Sequence, residues 1–147
     1  SDAGLPAFCD PGVSLIDQCH REGIRVTSKP FFNSVVLALA LSGFSHRQFT
    51  FHGFVERKTG HREKFIEKVL KCNSTGILMD TPYRLKSLLE SLVSIEKMVG
   101  ISRYYCLTMD LGKKSERILR GGAHKLAASK FIEGKPEFVL IINALCP

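Results

Sequence analysis

The chain has 147 residues with an apolar fraction of 44%, enough for one domain or two small ones. No apolar stretch approaches bilayer-spanning length, and the opening residues carry no signal-peptide pattern. The net charge is +7, a basic surplus that suits a polyanionic partner such as nucleic acid.

In chain order, Val13 to Glu22 spaces Val13, Leu15, Ile16 and Cys19 as one apolar helical stripe, which Gly23 ends. Ile24 to Thr27 reads as a short strand. Asn33 can cap a helix from Ser34 to Leu41, which is apolar on nearly every side and so must be covered on several faces. Two helices and one strand cannot build a sheet or shield that helix by themselves. From His46 the pattern is self-sufficient. Phe49 to Phe54 alternates as a strand, with Phe51 and Phe54 expected inside. Thr59-Gly60 marks a turn, and Phe65, Ile66, Val69 and Leu70 form a helix face. Thr75 to Met79 is a buried strand, and Thr81-Pro82 is a strong helix start. That helix buries Leu85, Leu88, Leu89, Leu92 and Ile95 and stops at Gly100. Strands over Tyr104 to Met109 and Glu116 to Arg120, a short helix over Ala123 to Phe131 and a strand over Phe138 to Asn143 complete the set. This order implies a mixed sheet with helices on it, an α+β unit. The expected boundaries are 1–45 for the opening region and 46–147 for the remainder.

Cys9, Cys19, Cys72, Cys106 and Cys146 are scattered, with no Cys-x-x-Cys pair. That favours reduced thiols in a cytoplasmic protein over a disulfide framework or zinc site. The five histidines are dispersed, four of them expected on solvated surface, so no metal site is expected. The positive charge gathers in two segments, Arg57, Lys58, His61, Arg62 and Lys64, and Lys113, Lys114, Arg117 and Arg120. Of these, Arg57, Lys58, Arg62 and Lys64 are the candidate RNA contacts, suited to shape and phosphate more than to base sequence. The plainer reading is a solvated loop and helix start, softened by Glu56 and Glu63.

The densest run of special residues is Ser1-Asp2-Ala3-Gly4-Leu5-Pro6-Ala7-Phe8-Cys9-Asp10-Pro11-Gly12. Its glycines, prolines and acids make a tight loop whose amides can approach a ligand closely. Taken alone, it is equally a rigid turn into a helix. The run resembles the Ser-Asp-Ala-Gly…Asp-Pro-Gly signature of the tetrapyrrole methylase superfamily, in particular its branch of bacterial 16S ribosomal RNA 2′-O-methyltransferases and their paralogues. Further segments match in order: Pro30 to Ser34, Phe49-Thr50-Phe51-His52-Gly53-Phe54, Asp80-Thr81-Pro82-Tyr83-Arg84, Met109-Asp110-Leu111-Gly112-Lys113, Glu116 to Gly121 and Glu137 to Ile141.

The resemblance implies an α/β tetrapyrrole-methylase-like fold, with part of an N-terminal lobe at 1–45 and a C-terminal α+β lobe at 46–147. A preceding half would supply parallel strands and further parts of the site; completion by a dimer partner is the second account. It implies S-adenosylmethionine as cofactor, structured ribosomal RNA as partner, a homodimer, and neither membrane nor metal. Ser1, Asp2, Ala3, Gly4, Asn33, Ser34, Met79, Asp80, Leu111 and Gly112 would bind the cofactor, and Asp2, Tyr83 and Arg84 would serve catalysis or face substrate. Asp10, Pro11 and Gly12 would hold the loop's shape. Three departures stand out: Phe31 where the family has glycine, and Met109 and Gly112 where it has Arg and Thr. They keep a second class open, a non-catalytic RNA-binding or assembly module descended from methylases.

Overall fold

The computed structural model describes residues 7–28 and 32–145. The expectations for Ser1, Asp2, Ala3, Gly4 and Phe31 lie outside the described residues. The chain divides into two compact units, Ser1–Leu37 and Ala38–Pro147.

In the first unit, α1 (Val13–Arg21) forms where the apolar stripe places it, with His20 and Arg21 in the last turn where they complement the helix dipole. Glu22 caps the helix and Gly23 follows with φ of 69°. None of its residues is fully buried: Ile16 and Cys19 of the stripe are half-buried, and Val13 and Leu15 are exposed. The strand expected over Ile24 to Thr27 is not formed. This segment is exposed and irregular, because a strand exists only as part of a ladder and no described strand pairs with it. Asn33 does cap the next helix, α2 (Ser34–Ser42): its Oδ1 accepts the backbone N–H groups of Val35 at 2.9 Å and Val36 at 3.3 Å. Along α2, Ala38 and Leu39 are buried, whereas Val36 is 57% exposed and Leu41 42%. One side of this apolar helix is therefore covered and the other open.

The second unit contains the later part of α2, from Ala38, and then β1 (Phe49–Phe54), α3 (Thr59–Leu70), β2 (Thr75–Met79), a 3-10 turn (Pro82–Arg84), α4 (Leu85–Val99), β3 (Tyr104–Met109), β4 (Arg117–Gly122), α5 (Ala123–Ala127) and β5 (Phe138–Ile142). Two sequence expectations shift. Thr59 and Gly60 do not turn the chain but open α3, for which Lys58 is the N-cap. α5 stops at Ala127, short of Phe131.

The sheet order is β1-β2-β5-β3-β4. β1 and β2 are parallel; β5 runs antiparallel to both β2 and β3, and β4 antiparallel to β3. The mixed sheet is therefore present, with the last strand inserted at its centre. One face of the sheet carries Leu78, Tyr105, Leu107, Met109, Phe138, Leu140 and Ile142, which pack with Ile66, Val69 and Leu70 of α3 and the leucines of α4 in one core. Period-two alternation in strands and 3.6-residue period in helices deliver those side chains to one layer. Gly100 closes α4 in the left-handed region at φ 68°, where a side chain would be strained.

β1 carries a bulge. Phe51 pairs with Ile77 and Gly53 with Leu78, leaving His52 as the extra residue and Gly53 at φ 74°, the glycine-favouring geometry of such a kink. Phe54 at the strand's end is exposed rather than internal. His20, His46, His61 and His124 are exposed as expected, and His52 is the exception. Its ring meets Phe65 edge-on at 6.3 Å between centroids, and its buried Nε2 has no hydrogen-bond partner among the described residues. Burial, then the nearby Lys68 charge, pull its pKa below the ordinary 6.5. A histidine with a depressed folded pKa contributes stability above the unfolded value that is lost as pH falls through the folded one. The melting temperature is thus expected to decline as pH drops below about 6.5. The His52→Gln variant should lose less of its melting temperature over the same range than the parent.

Candidate functional site

Strand directions decide what meets at one end of the sheet. The C-terminal ends of β1, β2 and β3 and the N-terminal ends of β4 and β5 share that end, as the pairs Phe54–Met79, Met79–Val139, Met109–Phe138 and Met109–Arg117 show. It therefore gathers Met79, Asp80, Tyr83, Arg84, Leu111 and Gly112, together with Arg57 and Lys58 on the link between β1 and α3. These segments lie far apart in sequence. Asn33 and Ser34 belong to the other unit.

Asp80 is the hub. It follows the fully buried part of β2 and is itself buried. Its Oδ2 lies 3.2 Å from Arg62 Nη1, its Oδ1 pairs with Arg84 Nη2, and its Oδ1 also accepts the Thr81 N–H at 2.6 Å. Arg84 Nε donates to Thr81 Oγ1 at 3.2 Å, so two contacts from one turn fix the guanidinium, whose side chain keeps a quarter of its surface exposed. Arg62 corrects the reading of the basic segment as one solvated run. It stands on the buried face of α3 with Ile66 and Val69 and is itself buried, while Arg57, Lys58 and Lys64 are exposed. Its Nε and Nη2 have no partner among the described residues. The spacing 62, 66, 69 was a readable signal for this inward position.

Tyr83, 74% exposed, projects from the 3-10 turn with Lys135 Nζ 4.3 Å from its ring centre, a cation–π contact between segments 52 positions apart. The turn after β3 is built around Asp110, at φ 49°, a conformation aspartate tolerates better than most residues. Its carboxylate accepts from Ser115 Oγ at 3.0 Å, Lys113 Nζ at 3.3 Å and the Glu137 N–H at 3.2 Å. Burial pushes this carboxyl up, but the Ser115 and Lys113 hydrogen bonds and the Lys113 charge outweigh it and hold it below the usual carboxylate range. Lys113 also reaches Glu137 Oε2 at 2.7 Å. The same turn carries half-buried Leu111, and Gly112 at φ 78°, where a Cβ would meet nothing within 4 Å. Met79 and Leu111 are both half-buried. Asn33 behaves differently. Its side-chain oxygen already serves two helix N–H groups, so it acts as a cap.

No group of His, Cys, Asp and Glu able to hold a metal occurs among the described residues, nor is any described helix long and apolar enough to cross a membrane. Cys9, Cys19, Cys72 and Cys106 are free.

No protein-family model matches the chain. It is 38% identical over 121 residues to ribosomal RNA small subunit methyltransferase I of Leptospira borgpetersenii, a match covering 82% of this chain and 48% of that protein. The chain spans about half the length of the curated relatives it matches. In fold it is similar to the methyltransferase CobJ, with a TM-score of 0.64 at 14% identity over 97% of this chain and 62% of that one. It is similar too to the uroporphyrin-III-C-methyltransferase of Thermus thermophilus, with a TM-score of 0.59 at 21% identity over 95% and 60% of the two chains. With the ordered motifs and the shared sheet end, these similarities establish that the chain belongs to the tetrapyrrole methylase superfamily, in the branch of the ribosomal RNA small subunit methyltransferases.

Proposed function

We propose that the protein containing this chain is an S-adenosylmethionine-dependent methyltransferase acting on a ribose 2′-hydroxyl of small-subunit ribosomal RNA, as a cytoplasmic homodimer. The observation that carries this reading is the meeting of Met79, Asp80, Tyr83, Arg84, Leu111 and Gly112 at one end of the sheet. Met79, Leu111 and Gly112 would hold the adenosine part of the cofactor. Asp80, buried and bonded on both oxygens, would contribute by fixing the turn and Arg84. When bound, the cofactor supplies a sulfonium methyl group that is already a strong electrophile. The chain's task is then to orient the acceptor and exclude water. Arg84 would bind an RNA phosphate through its planar donor fork, and Tyr83 would pack against the acceptor nucleotide. Arg57, Lys58 and Lys64 would touch phosphates further out; Arg62, turned inward, leaves that set.

The test is methyl transfer from labelled cofactor to small-subunit ribosomal RNA by the full-length protein, with the product scored for an alkali-resistant 2′-O-methyl linkage. Cofactor binding without transfer to RNA would overturn the reading. Arg84→Ala should raise KM for RNA by about tenfold or more, the worth of one charge-assisted contact, and Arg84→Lys should recover only part of it.

A further inference from the structure

Between positions 113 and 135 the chain carries seven lysines and arginines against two glutamates. This is a net charge of +5 out of the total +7, and only Lys113 on the Asp110 turn and Lys135 beside Tyr83 belong to the site described above. The stretch contains β4, one of the two edge strands of the sheet, which among the described residues pairs with β3 on one side only. Charges on a free sheet edge are commonly a guard against edge-to-edge association, and that would explain Arg117 and Arg120 alone. It does not explain what lies between them. A shallow, open surface on this edge is lined by Arg117, Ile118, Leu119 and Phe131, and Phe131 is 62% exposed. The ring is not on a fraying end, since Arg117 Nη1 donates to the Phe131 carbonyl at 2.9 Å and the Phe131 N–H to Ser129 Oγ at 3.3 Å. Arg120 is held on the sheet's other face by the rings of Phe44 and Tyr104, at 4.9 and 5.7 Å.

A presented aromatic ring, an aliphatic floor and flanking cations are what a single-stranded nucleic acid recognises: bases stack on the ring while phosphates follow the charge. We propose that the β4 edge, with Lys114, Arg117, Lys130 and Phe131, is a track for an unpaired stretch of RNA that leads to the methylation site. Arg117 begins β4 at the sheet end that follows Met109 and carries the 80–84 turn, so the track starts at the end of the sheet where the site lies. The track rests on the RNA reading given above. A second copy of the chain fits the edge less well, because pairing two such edges would bring like charges together.

The experiment measures binding of a fluorescent single-stranded ribosomal RNA oligonucleotide to the full-length protein across a salt series. Phe131→Ala should weaken binding by about tenfold, as removal of one stacking platform does. In a separate Lys114→Gln/Lys130→Gln variant, the slope of log affinity against log salt should flatten by roughly 0.7 for each phosphate no longer neutralised. Melting temperatures of these surface variants should match the parent. Parental affinity and slope in both variants, from a protein that does methylate RNA, would overturn the track and leave the activity standing. A change in oligomeric state in place of RNA affinity would also overturn it. Failure of the parent protein to bind or methylate RNA would remove the reading beneath it.

Discussion

Replacing Asp80 by alanine should destabilise the second unit by about 3–5 kcal/mol, the cost typical of breaking a buried ion pair by removing one partner. The reason is Arg62. Its side chain is 9% exposed and that of Asp80 fully buried, and arginine cannot shed its charge. Once the carboxylate is gone, Arg62 keeps a desolvated cation with two N–H groups already unpartnered among the described residues. Arg84 loses its anchor as well, but at a quarter exposed it can turn to water. The loss should therefore be dominated by Arg62. A double variant, Asp80→Leu with Arg62→Met, removes both charges and should recover much of the stability, since apolar replacement of a whole buried pair is often neutral or better. Urea denaturation of the parent, Asp80→Ala, Arg62→Met and the double variant reads these stabilities. If Asp80→Ala costs less than about 1 kcal/mol, the typical ceiling for an exposed pair, the buried-clamp account is wrong. RNA affinity adds an independent readout, since the double variant should stay weak for RNA after its stability returns, Arg84 having no anchor.

How far the sequence could be read depended on the range of each interaction. The body and end of α4 were legible, because their signals are local: the spacing of Leu85, Leu88, Leu89, Leu92 and Ile95, and Gly100 at its end; Thr81-Pro82 opens the 3-10 turn just before it. The Asn33 cap was legible for the same reason. Thr59-Gly60 misled because a glycine in a helix's first turn looks the same in sequence as one in a loop. The Ile24 to Thr27 strand was misread because a propensity for extended structure says nothing about whether a partner strand exists. Pairing order was out of reach. No local feature places β5, at the chain's end, between β2 and β3. For the site, the resemblance marked the segments, but not the clamp on Asp80 or the Lys135 contact with Tyr83, whose partners are 18, 4 and 52 positions apart. Only the clamp's spacing of four lies within one turn of structure.

The second large effect should come from Arg103, which no motif marks. Its guanidinium is buried and donates to the carbonyls of Leu70, Cys72 and Asn143, tying the end of α3 and the following turn to the chain just past β5. Its backbone N–H donates to Glu96 Oε1 at 2.7 Å, and the Tyr105 hydroxyl donates to the same oxygen at 2.8 Å. One buried arginine thus partners three acceptors that water cannot reach easily, and sets a positive charge near a buried carboxylate. Arg103→Met fills similar space without donors, so the carbonyls go unpaired and Glu96 loses the nearby cation. The expected cost is about 3–5 kcal/mol, read by urea denaturation at pH 7. Arg103→Lys should recover less than half of it, since one ammonium cannot span three carbonyls as a planar fork does. The same network predicts an alkaline limb. Burial, then the Glu96 charge and hydrogen bond, raise the Tyr105 pKa far above its usual value near 10. A group raised in the folded state gives stability that is complete below the unfolded pKa and declines as pH climbs past it. Parent stability should therefore fall above about pH 10, whereas Tyr105→Phe, weaker at pH 7 because Glu96 loses a donor, should show a shallower fall. Parallel alkaline limbs in the two proteins would mean that Tyr105 is not the group being held neutral.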